Sequence, residues 1–284
     1  MSKNRPQHTQ RIAFLLLFFA AIIVVLPVIF IVLYIIKQGW PALSWEFLST
    51  MPRNGMREGG IFPAIVGTIY LIMGTVIFSV PLGVLAAVYL VEYAKDNWVT
   101  RIIKLAIVNL AGVPSVVYGL FGFGIFVIFL KFGTSILAGS LTLSIMVLPI
   151  IITTTKEALT SVPQSFREVS ISLGVSKWQT IRYCVLPYAM PGILTGTILA
   201  VGRAAGETAP ILFTVAAFYL PKLPRSIFDQ SMALPYHLYV MSTQVPHVAV
   251  QTRYGIALVL LMLVLALNLT AVFIRAKFRK LKKW

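Results

Sequence analysis

Two ionisable residues stand out because they lie inside an apolar stretch of the sequence. Arg203 and Glu207 are four positions apart in residues 202–210, so one helix through this stretch would place both on the same face, where they can pair. The planar fork of N–H donors on an arginine suits an oxyanion, and a neighbouring carboxylate would orient it and temper its field so that the anion can leave. The plainer alternative is a neutralised pair that joins two helices, helped by Gly202 and Gly206.

The depth of this pair favours a functional role. Arg203 lies about 11 residues, or roughly 16 Å of helix, past the start of its apolar stretch, which puts it near the middle of a bilayer. Burying either charge alone at that depth costs at least ~2.5 to 3.5 kcal/mol, so an ionisable residue there is a candidate functional group. Thr208, next to Glu207, is a further candidate for lining the path of the anion.

Residues 112–124 form a second unusual stretch, because their glycines and proline weaken a helix within an apolar run. Such breaks are tolerated at membrane depth only where protein or water surrounds them. Ser115 and Tyr118 would offer hydroxyl groups along a path through the protein. The plainer alternative is close packing of this helix against a partner.

Residues 156–190 form the longest polar interruption in the second half of the chain and read as two short helices joined at Gly174. The apolar residues recur at the spacing of one helix face: Val162, Phe166, Val169 and Leu173. Gly174 suits a left-handed cap, and Ser176 with Gln179 has capping-box spacing for a second helix that stops before Pro187. An amphipathic segment of this kind either lies on lipid headgroups or docks a partner protein.

The elements that must position these residues are membrane-spanning helices. Of the 284 residues 58% are apolar and 11% are charged, against roughly 25% charged in a soluble domain, which excludes a soluble enzyme. The single cysteine, Cys184, excludes an internal disulfide, and the histidine spacing matches no common metal motif. The sequence predicts an all-α membrane protein with one domain at 12–274, flanked by tails at 1–11 and 275–284, and with six spans at about 12–36, 62–91, 106–130, 136–152, 192–218 and 254–274.

The distribution of basic residues orients these spans. Of 24 lysines and arginines, 16 lie in the two tails, the connector after the second span and the loop at 156–190. The positive-inside rule therefore places both termini in the cytoplasm, and the net charge of +16 reflects orientation in a bilayer instead of nucleic-acid binding. The chain has no Gly-Lys dipeptide and hence no P-loop, so any energy from ATP must come from another subunit.

The loop at 156–190 carries a resemblance to the permeases of ABC importers. Glu168, Gly174 and Pro187 fall at the spacing of the inner-loop signature of that family, with Val169 and Ser170 replacing its two alanines. The resemblance implies a type I importer permease fold in which the first loop helix is a coupling helix that docks on a cytoplasmic ATPase. The residues it assigns to coupling are Phe166, Glu168, Val169, Leu173, Gly174 and Pro187.

The stretches at 114–120 and 203–210 resemble the membrane subunits of the phosphate-specific ABC importer, and the run ending at Thr214 favours the PstA type over its sister PstC. This resemblance implies a non-catalytic permease in a bacterial or archaeal cytoplasmic (inner) membrane. Its implied partners are a PstC-like second permease, a PstB-like ATPase dimer that uses ATP and Mg²⁺, and a PstS-like phosphate-binding protein. It implies no cofactor on this chain, and it assigns Arg203 and Glu207 to the intramembrane charges of the family.

Two other classes remain open from the sequence. A permease for molybdate, sulfate or another oxyanion would keep the same inner loop, so only the stretches at 112–124 and 202–210 separate the substrates. A secondary transporter or channel would also be a basic six-span chain with an intramembrane ion pair, although the inner-loop spacing argues against it.

Overall fold

The computed structural model describes the backbone of residues 5–280 and the side chains of residues 10–277, and within that range the chain is a helical bundle with one short hairpin. The helices of the first half are α1 (Arg5–Gly39), α2 (Trp45–Ser49), α3 (Phe62–Val88), α4 (Trp98–Ala111), α5 (Ser115–Gly122) and α6 (Ile136–Thr160). Those of the second half are α7 (Gln164–Ser172), α8 (Lys177–Thr180), α9 (Leu186–Gly206), α10 (Ala209–Thr214), α11 (Leu234–Thr243) and α12 (Val250–Lys280). The hairpin pairs β1 (Pro52–Arg53) with β2 (Glu58–Gly59).

The predicted fold class, an all-α protein with several membrane spans, is confirmed. Five helical segments of the described chain are long and apolar enough to cross a bilayer: Gln10–Ala42, Phe62–Tyr93, Ile136–Thr160, Lys177–Gly206 and Val250–Lys277. A bent pair, Trp98–Ala111 followed by Ser115–Phe129, brings the number of candidate crossings in the described chain to six when the pair is counted as one span. Three of the six continue through a π-helical turn, at Tyr89–Tyr93, Phe123–Phe129 and Ile181–Val185.

Helix α6 lies at the centre of the bundle, between α3 and α9. Small residues of its neighbours allow the close approach, since Gly83 of α3 packs on Ile151 and Gly192 of α9 packs on Ala158. The hydroxyl of Ser144 donates a hydrogen bond of 3.1 Å to the carbonyl of Thr75 on α3. These contacts make α3, α6 and α9 the frame on which the remaining elements are placed.

The span predicted over 106–130 has an earlier start in the structure and is sharply bent within the stretch that its glycines and proline weaken. The helix begins earlier, at Trp98, where the side chain of Asn97 accepts the backbone N–H of Thr100 as an N-cap. It ends at Ala111, and the axis then turns by 106° before α5 begins. The break has a local cause, because Gly112 weakens the helix and Pro114 has no N–H to continue it. The hydroxyl of Tyr118 donates a 2.7 Å bond to the carbonyl of Leu110, which also accepts the backbone N–H of Val113 at 3.1 Å, and so braces the corner.

The prediction of one continuous span over 192–218 is wrong, at both of its ends. The helix starts at α8 and passes through a π-helical turn into α9. It therefore does not stop before Pro187, as predicted for the second loop helix. The wider π-helical turn accommodates the missing N–H of this proline. It ends at Gly206, ahead of Glu207, which has an extended backbone. A second, short helix α10 follows, with Pro210 in its first turn.

Helix α6 runs on to Thr160, past the predicted end of its span at 152, because Lys156 and Glu157 extend the helix beyond its apolar part. The bundle therefore has two different ends. One end, the α7 end, carries α7 and α8. The opposite end, the α11 end, carries the β1–β2 hairpin, α2 and α11, and the backbone N–H of Leu234 on α11 donates a 2.8 Å bond to Thr68 of α3.

Candidate functional site

The two unusual stretches of the sequence pack against each other, where α5 meets α10. Gly119 of α5 lies directly on the backbone of α10, and a Cβ atom at this position would come within 3.0 Å of both the Ala209 carbonyl oxygen and the Pro210 Cα. Any side chain there would force the two helices apart. The packing alternative for residues 112–124 is thus supported by the structure, and the partner helix belongs to the same chain.

The ion pair between Arg203 and Glu207 lies at the break between α9 and α10. The Nε atom of Arg203 is 3.3 Å from the Glu207 Oε1 atom. Arg203 is in the last turn of α9, whereas Glu207 lies just beyond the helix, so the predicted pairing is present although the two do not share one helix. The side chain of Arg203 remains 36% exposed and that of Glu207 remains 17% exposed in this chain.

Only one of the three guanidinium nitrogens of Arg203 is used in this pair. Among the side chains of residues 10–277, no other group hydrogen-bonds to Arg203, so its two terminal nitrogens keep their N–H donors. Those four N–H bonds form the fork that recognises a carboxylate or phosphate in a bidentate manner. The site can therefore bind an oxyanion while Glu207 holds the guanidinium in place.

The pair lies halfway along the central helix of the bundle. Helices α9 and α6 are antiparallel, with Gly192 packed on Ala158 and Gly196 packed on Thr154. Continued over two more turns, this register places Arg203 opposite Val147, which is close to the middle of α6. The predicted depth near the middle of the membrane agrees with this register.

The remaining path candidates surround the same break. Thr208 is half-buried at the start of α10, and Ser115 is half-buried at the first residue of α5; neither hydroxyl has a hydrogen-bond partner among the described residues. Tyr118 is buried close enough to Arg203 to interact with it electrostatically. Its hydroxyl proton, however, is committed to Leu110, so Tyr118 braces the corner and does not offer a free donor along a path.

The residues predicted to couple to an ATPase lie together at the α7 end. Three apolar residues are exposed in this chain: Phe166, Val169 and Leu173, the last with 78% of its surface accessible. Val162, which belongs to the same apolar pattern, precedes α7 and is buried. Glu168 is exposed as well, and Pro187 is half-buried in the first turn of α9.

Two local features of this segment are confirmed. Gly174 has φ of +78°, the left-handed conformation of a helix cap. Ser176 and Gln179 form the capping box at the start of α8.

One functional candidate was missed by the sequence analysis. Arg167 of α7 forms a salt bridge with Glu92, with 2.7 Å between Nη2 and Oε1, and the two side chains are only 12% and 7% exposed. Arg167 also donates to the carbonyls of Val162 and Leu159, at 2.9 and 3.0 Å. The partners are 75 residues apart, so no local spacing connects them.

The fold and the site define a class of protein, a multi-pass membrane protein with an arginine–glutamate pair at a helix break inside the bundle and a short amphipathic helix exposed at one end. The sequence pattern of the family described as "Binding-protein-dependent transport system inner membrane component" matches residues 79–282, and the chain belongs to this family. Similar relatives carry names of the same kind. A "Probable ABC transporter permease protein YqgI" of Bacillus subtilis is 36% identical over 252 residues, covering 84% of this chain and 85% of that one.

A second relative extends the similarity over nearly the whole chain. The "Phosphate transport system permease protein PstA 1" of Mycobacterium tuberculosis is 36% identical over 264 residues, covering 91% of this chain and 86% of that one. Among solved structures, a bacterial ABC transporter for import of the acidic polysaccharide alginate has a TM-score of 0.65 at 13% identity, covering 96% of this chain and 97% of that chain. The methionine ABC transporter MetNI in an inward-facing conformation has a TM-score of 0.59 at 15% identity, covering 77% of this chain and 94% of that chain. The predicted ABC importer permease fold is thereby confirmed.

Proposed function

We propose that this chain is a permease subunit of an ATP-driven importer for inorganic phosphate, in which it forms half of the path through the membrane. The observation that carries the proposal is the guanidinium of Arg203, which is held by one bond to Glu207 halfway along the bundle with two nitrogens left for an anion. Phosphate is favoured as the anion by the similarity to the M. tuberculosis phosphate permease over 91% of this chain.

The roles of the individual residues follow from their positions. Arg203 binds the anion through its terminal nitrogens, and Glu207 both orients the guanidinium and weakens its attraction so that phosphate leaves. Thr208 and Ser115 supply hydroxyl groups at the break between helices. The half-exposed state of Arg203 in a single chain suits a path that a second permease subunit completes from the other side.

The other parts of the assembly are proposed from the α7 end. The exposed apolar residues of α7 with Glu168 and Gly174 form the surface that docks an ATPase subunit, which hydrolyses ATP with Mg²⁺ while this chain performs no hydrolysis. The α7 end faces the cytoplasm together with both termini, because the segments there hold most of the basic residues. A phosphate-binding protein delivers the anion at the α11 end, and the membrane is the cytoplasmic membrane of a bacterium or archaeon.

The test is uptake of radiolabelled phosphate at low concentration in cells that lack this chain and in cells with the chain restored. Unlabelled sulfate and molybdate serve as competitors, and arsenate serves as the close analogue that should compete. The proposal predicts that restoration returns uptake which phosphate and arsenate alone compete away. If phosphate uptake is unchanged in cells that lack the chain while transport of another oxyanion is lost, the assignment as an importer permease would stand and the assignment of phosphate as the substrate would be contradicted.

A further inference from the structure

A single side chain, that of Arg167, joins helix α7 to the ends of two membrane-spanning helices. Its Nη2 and Nε atoms lie 2.7 and 3.1 Å from Oε1 of Glu92, which belongs to the π-helical turn that closes α3. Its Nη1 atom donates to the carbonyl of Val162, just beyond the end of α6, and its Nη2 atom donates to the carbonyl of Leu159, in the last turn of α6. All three guanidinium nitrogens are therefore bonded within this chain.

The link lies on the face of α7 that is turned toward the bundle. Val169 is two residues farther along the helix, or about 200° around its axis, and is 62% exposed. The exposed apolar face and the Arg167 face are thus on opposite sides of one short helix. A push received by the first face reaches the spans through the second.

The link is stiff because it is buried and each of the three guanidinium nitrogens is hydrogen-bonded. The two side chains are largely withdrawn from water, so solvent does not readily replace the bonds, and an uncompensated charge at either position would be unfavourable. A second connection, between the hydroxyls of Ser170 and Thr180 at 2.9 Å, ties α7 to α8 and so to α9. It consists of one neutral hydrogen bond, whereas Arg167 forms an ion pair and two carbonyl bonds.

We propose that the Arg167–Glu92 pair is the mechanical link that converts displacement of α7 into movement of α3, whereas α6 is joined to α7 directly by the chain at 161–163. This inference rests on the proposed function, in which an ATPase displaces α7. Arg167 is a positioning residue in this account, since it contacts neither nucleotide nor the transported anion. Breaking the link would leave the ATPase bound and able to hydrolyse ATP, but transport would no longer follow hydrolysis.

The experiment uses the complete complex, with the second permease, the ATPase and the binding protein, in proteoliposomes in which uptake and ATP hydrolysis are measured together. Glu92→Gln removes the charge, and the double variant Glu92→Met with Arg167→Met replaces the buried pair by apolar side chains of similar length, an exchange that generally preserves folding. The expected result is hydrolysis within about two-fold of the unaltered complex and at least ten-fold less phosphate imported per ATP. The matched control is Arg182→Met, because Arg182 lies over the Tyr183 ring and has no carboxylate partner among the described side chains.

Two outcomes would overturn the link. Normal coupling in the double Met variant would show that the pair only maintains the fold, and loss of the ATPase from the purified double variant would show that it only shapes the docking surface. Arg167→Lys retains the charge without the planar fork, so partial recovery of coupling is expected from this conservative variant.

A second readout does not depend on the transported substrate. Spin labels at Leu85→Cys on α3 and Gln164→Cys on α7, in a Cys184→Ser chain, report the distance between these helices with and without ATP. If the link is intact, the distance between α3 and α7 should be the same with and without ATP. After the double Met substitution, the distance should change when ATP is added. A shift in the unaltered link would contradict the inference, whereas absence of phosphate uptake with an unchanged distance would contradict only the proposed substrate.

Discussion

The two ion pairs of the described side chains use the same residue types in opposite ways. At the α7 end, Arg167 bonds Glu92 and two backbone carbonyls with all of its nitrogens, and both side chains of the pair are nearly buried. At the break between α9 and α10, Arg203 bonds Glu207 through one nitrogen at 3.3 Å and remains 36% exposed. The guanidinium of Arg167 is hydrogen-bonded at all three nitrogens, whereas that of Arg203 is hydrogen-bonded at one.

The difference separates a structural link from a binding group. A buried guanidinium that is bonded at all three nitrogens holds elements together and presents no fork to a ligand, whereas one fixed at Nε presents its two terminal nitrogens as a fork. The Arg167–Glu92 pair lies between α7 and the spans, and the Arg203–Glu207 pair lies halfway through the bundle.

The largest effect is expected for Arg203→Ala. Loss of a charged hydrogen-bonding fork costs roughly 1.5 to 3 kcal/mol per bond to the anion, so uptake should fall by about 100-fold or more while the complex still assembles. Radiolabelled phosphate uptake and co-purification of the subunits measure the two quantities, and Arg101→Met, an exposed arginine on α4, serves as the control. Failure of the complex to assemble would instead identify the pair as a staple between helices.

Gly174→Val should act at the α7 end alone. The left-handed backbone of Gly174 disfavours a β-branched residue by about 1 to 2 kcal/mol, and the resulting shift of the cap should reduce retention of the ATPase by roughly ten-fold. Gly133→Val carries similar strain, with φ of +67° in the loop between α5 and α6, and should leave ATPase retention unchanged. Equal retention by both variants would count against docking at α7.

Gly119→Ala tests the contact between α5 and α10. The added methyl would lie 3.0 Å from the backbone of α10, and overpacking of this kind costs about 1 to 3 kcal/mol, so both the melting temperature and the uptake rate should decrease. Gly124→Ala is the control because no atom lies within 4 Å of its added Cβ. A melting temperature that is the same for the two variants would show that the contact is loose.

The smallest effect on transport is expected from a buried histidine that takes part in neither pair. Desolvation lowers the pKa of His237 on α11 from 6.5 to about 4. As the pH falls, this histidine therefore takes up a proton at a higher pH in the unfolded chain than in the folded chain. The free energy of unfolding is constant above pH 6.5 and decreases as the pH falls from 6.5 toward 4. At pH 5 the loss is on the order of 2 kcal/mol. Thermal melting of the purified complex from pH 5 to 8 measures this dependence, and His237→Gln should remove it.

The control for the pH dependence is His247→Gln, a substitution of an exposed histidine in the loop between α11 and α12. It should preserve the loss of stability below pH 6.5. The same acid dependence in the His237→Gln variant would assign it to another group.

Much of the fold was predictable, because membrane spans are encoded in local composition. The apolar runs predicted a helical membrane protein, and local glycine and capping patterns predicted the caps at Gly174 and Ser176. The break at 112–114 falls within the stretch 112–124 whose glycines and proline predicted a weakened helix, whereas the break at 207–208 was not located, since a helix end inside an apolar run depends on what packs beside it. Gly119 and Pro210 contact each other across 91 positions of sequence, and that contact lets both helices be interrupted at the same depth.

The candidate site was predictable to a similar degree. Arg203 and Glu207 are four positions apart, so their pairing was visible in the sequence although the helix ends between them. Glu92 and Arg167 are 75 positions apart, and their pairing required the bundle to bring the end of α3 to α7. The assignment of Tyr118 changed for the same reason, because its partner is a carbonyl exposed only by the end of α4.

The most direct test of the central claim is chemical protection of the break beside Arg203. Cys184 is the only cysteine of the chain, so Thr208→Cys in a Cys184→Ser background gives the assembled complex a single thiol on this subunit at the proposed site. We predict that phosphate delivered by the binding protein slows modification of this thiol by a methanethiosulfonate reagent, and that Arg203→Ala removes the protection. Modification at the same rate with and without phosphate, or protection that persists without Arg203, would contradict the account.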